Sequence, residues 1–231
     1  MGTAGTGVAG TKTTATVALI GVDIGTSAVL RDSFKQFGID TTEMLAEEAG
    51  RMRREKFEAC AIPLEDSVEE TLKMIRESAS NQRIVIYGIC EKLHQAMKFS
   101  RYGINAIFTV PVERQGALRV VRATHLLVVH ELRRYVRVPL VTSLTLETGT
   151  EKFTASTVEI SAGGMSLHSN RKLTVPQGVQ ATFDLPKIGR VVTRGVVCWV
   201  RRDEEMVGLR YDPEDERRLR VREWIDDYLG I

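Results

Sequence analysis

The chain has 231 residues, 43% hydrophobic and 27% charged, with 32 Lys and Arg against 30 Asp and Glu for a formal charge of +2. This length suits two modest domains or one large one, and the near-balanced charge argues against a binder of nucleic acid polymers, whose domains are strongly basic. Cys60, Cys90 and Cys198 stand far apart in apolar runs with no C-x-x-C pair, which speaks against a disulfide framework or zinc knuckle and leads us to expect buried, reduced thiols.

Residues 1–16 are rich in Gly, Thr and Ala and read as a flexible tail. The apolar run at 17–22 is too short for a signal-peptide core. No stretch reaches the roughly 18 to 20 apolar residues of a membrane span, so a cytoplasmic protein is expected. Residues 17–22 read instead as a buried strand, followed by a helix over about 27–37. Further apolar runs at 57–62, 83–88 and 104–109, with a short strand near 39–44, bring the strands to five. Helical patterns of about 10–20 residues separate them, broken near Gly38, Gly50 and Gly103. Regular alternation of this kind predicts a doubly wound parallel sheet with helices on both faces. Residues 112–134 read as one long helix with a stripe of Leu118, Val121, His125, Val128 and Leu132, which ends the first domain and runs into the second.

Beyond Arg137 the period changes. Strand-like segments at 138–140, 144–146, 156–160, 179–185, 190–200 and 207–211 are punctuated by Gly149, Gly163-Gly164, Pro176-Gln177-Gly178 and the 186–189 turn. Short strands at this spacing predict a small antiparallel barrel. A helix after Pro213 follows, with Leu219, Trp224, Ile225 and Tyr228 available to pack on it.

Two motifs carry chemistry. In Leu132-Arg133-Arg134-Tyr135-Val136-Arg137-Val138 the arginines stand at a helix-to-strand junction. Arginine forks grip phosphate and the O6/N7 edge of guanine bidentately and can stack on a base; the bland reading is a solvated helix end, where cations suit the dipole. Downstream, Glu159-Ile160-Ser161-Ala162-Gly163-Gly164 places an acid, a hydroxyl and a glycine turn at a strand end. Its N–H groups and Ser161 can donate to phosphate or base, and Glu159 can accept from the guanine N1–H and N2–H edge. Alone, that segment is a plain hairpin turn.

Taken together and in this order, the two motifs resemble the signature of the PilZ family, R-x-x-x-R followed by [D/N]-x-S-x-x-G. Arg133 and Arg137 match the first part, and Ser161 and Gly164 the second; Glu159 stands where the family has Asp or Asn. Residues 195–200 and 207–211 look like the last two barrel strands of that family. The resemblance covers residues 129–231. It implies a bacterial receptor for cyclic di-GMP, binding through Arg133, Arg134, Arg137, Glu159, Ser161 and Gly164. Leu132, apolar ahead of the first arginine, implies a single ligand molecule per site. Because the arginines lie where the long helix meets the barrel, ligand capture is expected to reorder that junction and so regulate a protein partner. The rival reading, resting on Glu159, is a PilZ-like interaction module that no longer binds the nucleotide.

Residues 17–128 resemble a response-regulator receiver in β-α order and length, but the chemistry is missing. Asp23 stands alone after the first strand, Ile62-Pro63 ends the third, and Val110 stands where the receiver has lysine. A pseudo-receiver used for interaction is implied, with a homodimer left open. Val22-Asp23-Ile24-Gly25-Thr26-Ser27 is also similar to the first phosphate loop of the actin and sugar-kinase superfamily. That loop needs a following β-hairpin, whereas a helical pattern follows here. His94, His125, His130 and His168 lack metal-ligand spacing, and Glu65, Asp66, Glu69 and Glu70 read as a solvated helix start. No catalytic constellation or cofactor is indicated, and no enzyme is expected.

Overall fold

A computed structural model describes residues 14–149, 151–201, 203 and 205–230. They divide at Leu132/Arg133 into two compact units. The expected tail lies outside the described residues up to position 13; Ala15 is already buried and the first strand begins at Thr16.

The first unit is a five-stranded parallel sheet of β1 (Thr16–Ile20), β2 (Asp40–Met44), β3 (Ala59–Pro63), β4 (Val85–Cys90) and β5 (Ala106–Thr109), in the order β2-β1-β3-β4-β5. This is the strand order of flavodoxin-like doubly wound folds, to which receivers belong, as the resemblance implied. Helices cover both faces, which is why the inner strands are continuously apolar and β4 is buried at all six positions. Phe34 of α1 (Ile24–Lys35) meets the rings of Tyr87 and Phe108 edge-on at 5.4 and 6.4 Å. Two more helices follow, α2 (Glu69–Glu77) and α3 (Leu93–Lys98), and a 3-10 segment, Ala46–Arg53, leads from β2 toward β3.

The start of α1 decides the phosphate-loop reading. Asp23 Oδ1 accepts a hydrogen bond from the Thr26 N–H at 2.9 Å, and that bond holds the carboxyl below its usual range. Asp23 is a helix cap, the helix starts at Ile24, and no hairpin follows it.

The long helix is α4 (Arg114–Tyr135), and three residues of its expected stripe, Val121, Val128 and Leu132, are buried while two are replaced by their neighbours. Ala117, Val121, Thr124, Val128 and Leu132 face inward, while Leu118 and His125 are half-buried. The small residues and Thr124 take the inner face because Tyr87 stands beneath them. Its hydroxyl lies 2.8 Å from Thr124 Oγ1, so both buried hydroxyls are satisfied.

The second unit is an antiparallel barrel. Its strands are β6 (Val138–Pro139), β7 (Ser143–Glu147), β8 (Lys152–Ser161), β9 (Gly164–His168), β10 (Gln177–Leu185), β11 (Gly189–Arg201) and β12 (Met206–Tyr211). Six of them close a ring, β8-β7-β10-β11-β12-β9 and back to β8, and β6 adds to the other side of β8. β9 was not expected from the sequence; it reads there as the far side of a turn, yet it closes the barrel. The final helix is α5 (Leu219–Leu229), which buries Val221, Trp224, Ile225 and Leu229. Leu219 and Tyr228, expected to pack, are exposed because that periodicity puts them on the outer face. Among the described residues, no helix is long and apolar enough to cross a membrane.

One buried acid in the first unit has a pH consequence. Glu58 is 4% exposed; its Oε2 accepts the Thr16 N–H at 2.8 Å, and Lys56 stands 4.0 Å away, between it and buried Glu131. Burial pushes the Glu58 carboxyl up despite these contacts. Its proton is therefore held more tightly folded than unfolded. The stability this confers is complete below the ordinary carboxylate range and is lost as pH rises through the folded value. Denaturant unfolding at pH 4.5 and 7.5 should show this decline, and Glu58→Gln should flatten it.

Candidate functional site

Arg137, Glu159, Ser161 and Gly164 of the two motifs sit where β6, β8 and β9 meet. β6 pairs with the end of β8 in the register Val138 to Ile160 and Pro139 to Glu159, which sets Arg137 beside Glu159. Arg137 Nη1 donates to Glu159 Oε1 at 2.9 Å. β8 turns tightly into β9, with Ser161 opposite Gly164, and Ser161 Oγ donates to the Gly164 carbonyl at 3.0 Å. The Gly163 carbonyl accepts the Tyr211 N–H at 3.0 Å, which fixes the turn on β12.

Arg137, Glu159, Ser161 and Gly164 line one cleft of about 180 Å³. Three more of its lining residues carry chemistry that the sequence reading passed over: Cys198, Trp199 and Arg210. Two β-bulges explain the omission. The β8–β9 register slips between Thr157 and Glu159, and the β11–β12 register between Val197 and Trp199. A bulge breaks the in-out alternation and re-aims side chains, so Cys198 and Trp199 are consecutive yet both exposed. The expected burial of Cys198 is thereby corrected, while Cys60 and Cys90 are buried. Trp199 lies flat over Gly208, where any Cβ would strike the indole, and the Arg201 guanidinium carbon sits 5.5 Å from the ring centroid. Among the described residues, the buried Ser166 hydroxyl in the cleft wall has no hydrogen-bond partner.

The other two arginines are elsewhere. Arg133 Nε donates to Asp226 Oδ1 of α5 at 2.6 Å, in a pair whose side chains are only 19% and 22% exposed. Arg134 is exposed, with its guanidinium carbon 5.9 Å from the Tyr135 ring. The two ion pairs differ in weight. Arg137 and Glu159 are 62% and 33% exposed, a setting in which such pairs contribute about 0.2–1 kcal/mol. The shielded Arg133–Asp226 bond is harder to replace.

The family model for the PilZ domain matches residues 131–229. That stretch is a PilZ domain. PilZ is a family of cyclic di-GMP receptors, and the match takes in both motifs and the whole barrel, though less than half of the chain. No curated protein matches the chain in sequence. Among solved structures, the chain is similar to the chemotaxis response regulator CheY4 of Vibrio cholerae, with 13% identity and a TM-score of 0.43 over 48% of this chain and 98% of that one. It is also similar to the Bacillus subtilis inhibitor of motility MotI/DgrA, with 20% identity and a TM-score of 0.34 over 42% of this chain and 52% of that one. The PilZ domain of CeSA from a cellulose-synthesizing bacterium matches with 15% identity and a TM-score of 0.33, over 41% of this chain and 96% of that one.

In this PilZ domain the signature glycine has a packing reason. A Cβ on Gly164 would overlap the Leu209 carbonyl of β12, so β9 approaches that strand closely enough to pair only with glycine there. Gly164→Ala should therefore cost roughly 2–3 kcal/mol of barrel stability, read as a shifted denaturant midpoint for the second unit.

Proposed function

We propose that the protein is a receptor for cyclic di-GMP that captures the nucleotide at the Arg137–Glu159–Ser161–Gly164 cleft with Arg133 and Arg134 assisting. The observation that carries this reading is the convergence of the four residues on one cleft of the PilZ barrel. The chemistry suits a guanine dinucleotide. Arg137 offers a fork for phosphate or the O6/N7 edge, Glu159 an acceptor for the opposite edge, and Trp199 a half-exposed indole face for stacking. Ser161 already donates to the Gly164 carbonyl, so toward the ligand it acts as an acceptor, or donates after rotating. The cleft is smaller than the roughly 300–1,000 Å³ of sites that enclose a small molecule. The dinucleotide would then be seated by one base, with its phosphates at the rim near the arginines.

Arg133 closes a helix whose first turns belong to the first unit, and through it we expect capture to change the arrangement of the two units and the surface offered to a protein partner. A ligand achieves this only by contacting the two states differently. The second reading, an interaction module without a ligand, draws on one specific observation: Glu159 already occupies Arg137.

Isothermal titration with cyclic di-GMP separates the two. One ligand per chain is expected; an absence of heat at ligand concentrations on the order of a few hundred micromolar would sink the receptor reading. Arg133→Ala combined with Arg137→Ala should weaken binding by at least about 100-fold, and binding that survives the double change would put the site elsewhere. Glu159→Asp, which restores the family's shorter acid, should tighten binding by roughly tenfold.

A further inference from the structure

Arg133 is one of the two arginines of the PilZ signature, yet it is turned away from the cleft that Arg137 lines. What turns it is a residue that no motif includes. Asp226 lies in the second half of α5, more than ninety positions along the chain, and its Oδ1 takes the Arg133 Nε–H at 2.6 Å. Both side chains are largely shielded, so the bond has little competition from water or salt. α5 presses Val221, Trp224, Ile225 and Leu229 inward and presents Asp226 beside that buried row. The helix is thereby tied to the end of α4 by a charged pair.

We propose that Asp226 is an intramolecular competitor for the nucleotide: its carboxylate occupies the Arg133 guanidinium in place of a ligand phosphate. The inference rests on the cyclic di-GMP reading and extends it. A carboxylate oxygen and a phosphate oxygen ask for the same charge-assisted N–H bonds, and Arg133 satisfies Asp226 only while it faces α5. Ligand capture by both signature arginines then requires two exchanges of different difficulty. Arg137 leaves an exposed partner at little cost, whereas Arg133 leaves a shielded one and takes from α5 its ion pair with the end of α4. Asp226 therefore sets the affinity of the receptor, and α5 is the element whose hold loosens when the nucleotide arrives.

The test is titration of cyclic di-GMP into the full chain carrying Asp226→Asn, which keeps the shape and removes the charge. Affinity should rise roughly tenfold over wild type, and the same substitution in an Arg133→Ala background should change nothing. Amide hydrogen exchange over residues 219–229 of the wild type should quicken on adding ligand, a readout that does not depend on a variant folding well. Wild-type binding with unchanged or weakened affinity in Asp226→Asn overturns the competitor role and leaves the receptor reading standing. So does an α5 whose exchange is indifferent to bound ligand. Silence from both proteins removes the receptor reading and this inference with it, whereas silence from the wild type with heat from Asp226→Asn removes the receptor reading of the natural chain and supports the competitor role.

Discussion

The pairing of β9 with both β8 and β12 is the constraint on which the candidate site depends. It closes the barrel, and in doing so it brings the Glu159–Ser161–Gly164 turn against Trp199 and Arg210, which lie far downstream in the chain. The closure requires the near-contact of Gly164 with the Leu209 carbonyl, and the ring of Trp199 requires the bare backbone of Gly208. Two glycines thus give the cleft its floor and its aromatic wall. The bulges beside Glu159 and Trp199 turn those side chains toward the same opening.

Electrostatics then divides the arginines. Each of the two signature residues is held by a carboxylate of its own unit, Arg137 by Glu159 in the open and Arg133 by Asp226 under cover. A nucleotide that engages both must replace two ion pairs of unequal strength, so its net affinity is the small difference between new charge-assisted bonds and old ones. Glu159 in place of the family's shorter acid adds to this, since the longer side chain reaches Arg137 directly.

Much of this was legible in the sequence because periodicity and motif order are local signals. The continuous apolar strands of the first unit, buried on both faces, read correctly as parallel sheet, and the helical pattern after Asp23 spoke against a phosphate loop, but the capping role of Asp23 showed only once the helix start was placed at Ile24. What escaped was non-local or broke the alternation. β9 is a five-residue strand that begins on the second glycine of a pair, and only its two neighbours make it a strand. Cys198 and Trp199 defeated the in-out rule because a bulge lies between them and their partners. The inner face of α4 takes Thr124 in place of the expected His125 because Tyr87, a strand residue, meets its hydroxyl there. Asp226 had no signal at all, since nothing in an acidic helix position marks the distant arginine it will hold.

The central claim is that Arg133 and Arg137 exchange their carboxylate partners for the nucleotide. Arginine Nε–H spectra recorded while cyclic di-GMP is titrated into the intact protein test it directly. The Arg133 and Arg137 signals should move together along one saturation curve, while that of Arg194, paired with Asp212 at 3.4 Å on another stretch of the barrel, stays in place. Signals from both signature arginines that remain fixed as ligand binds, or that move no more than Arg194, would contradict the account.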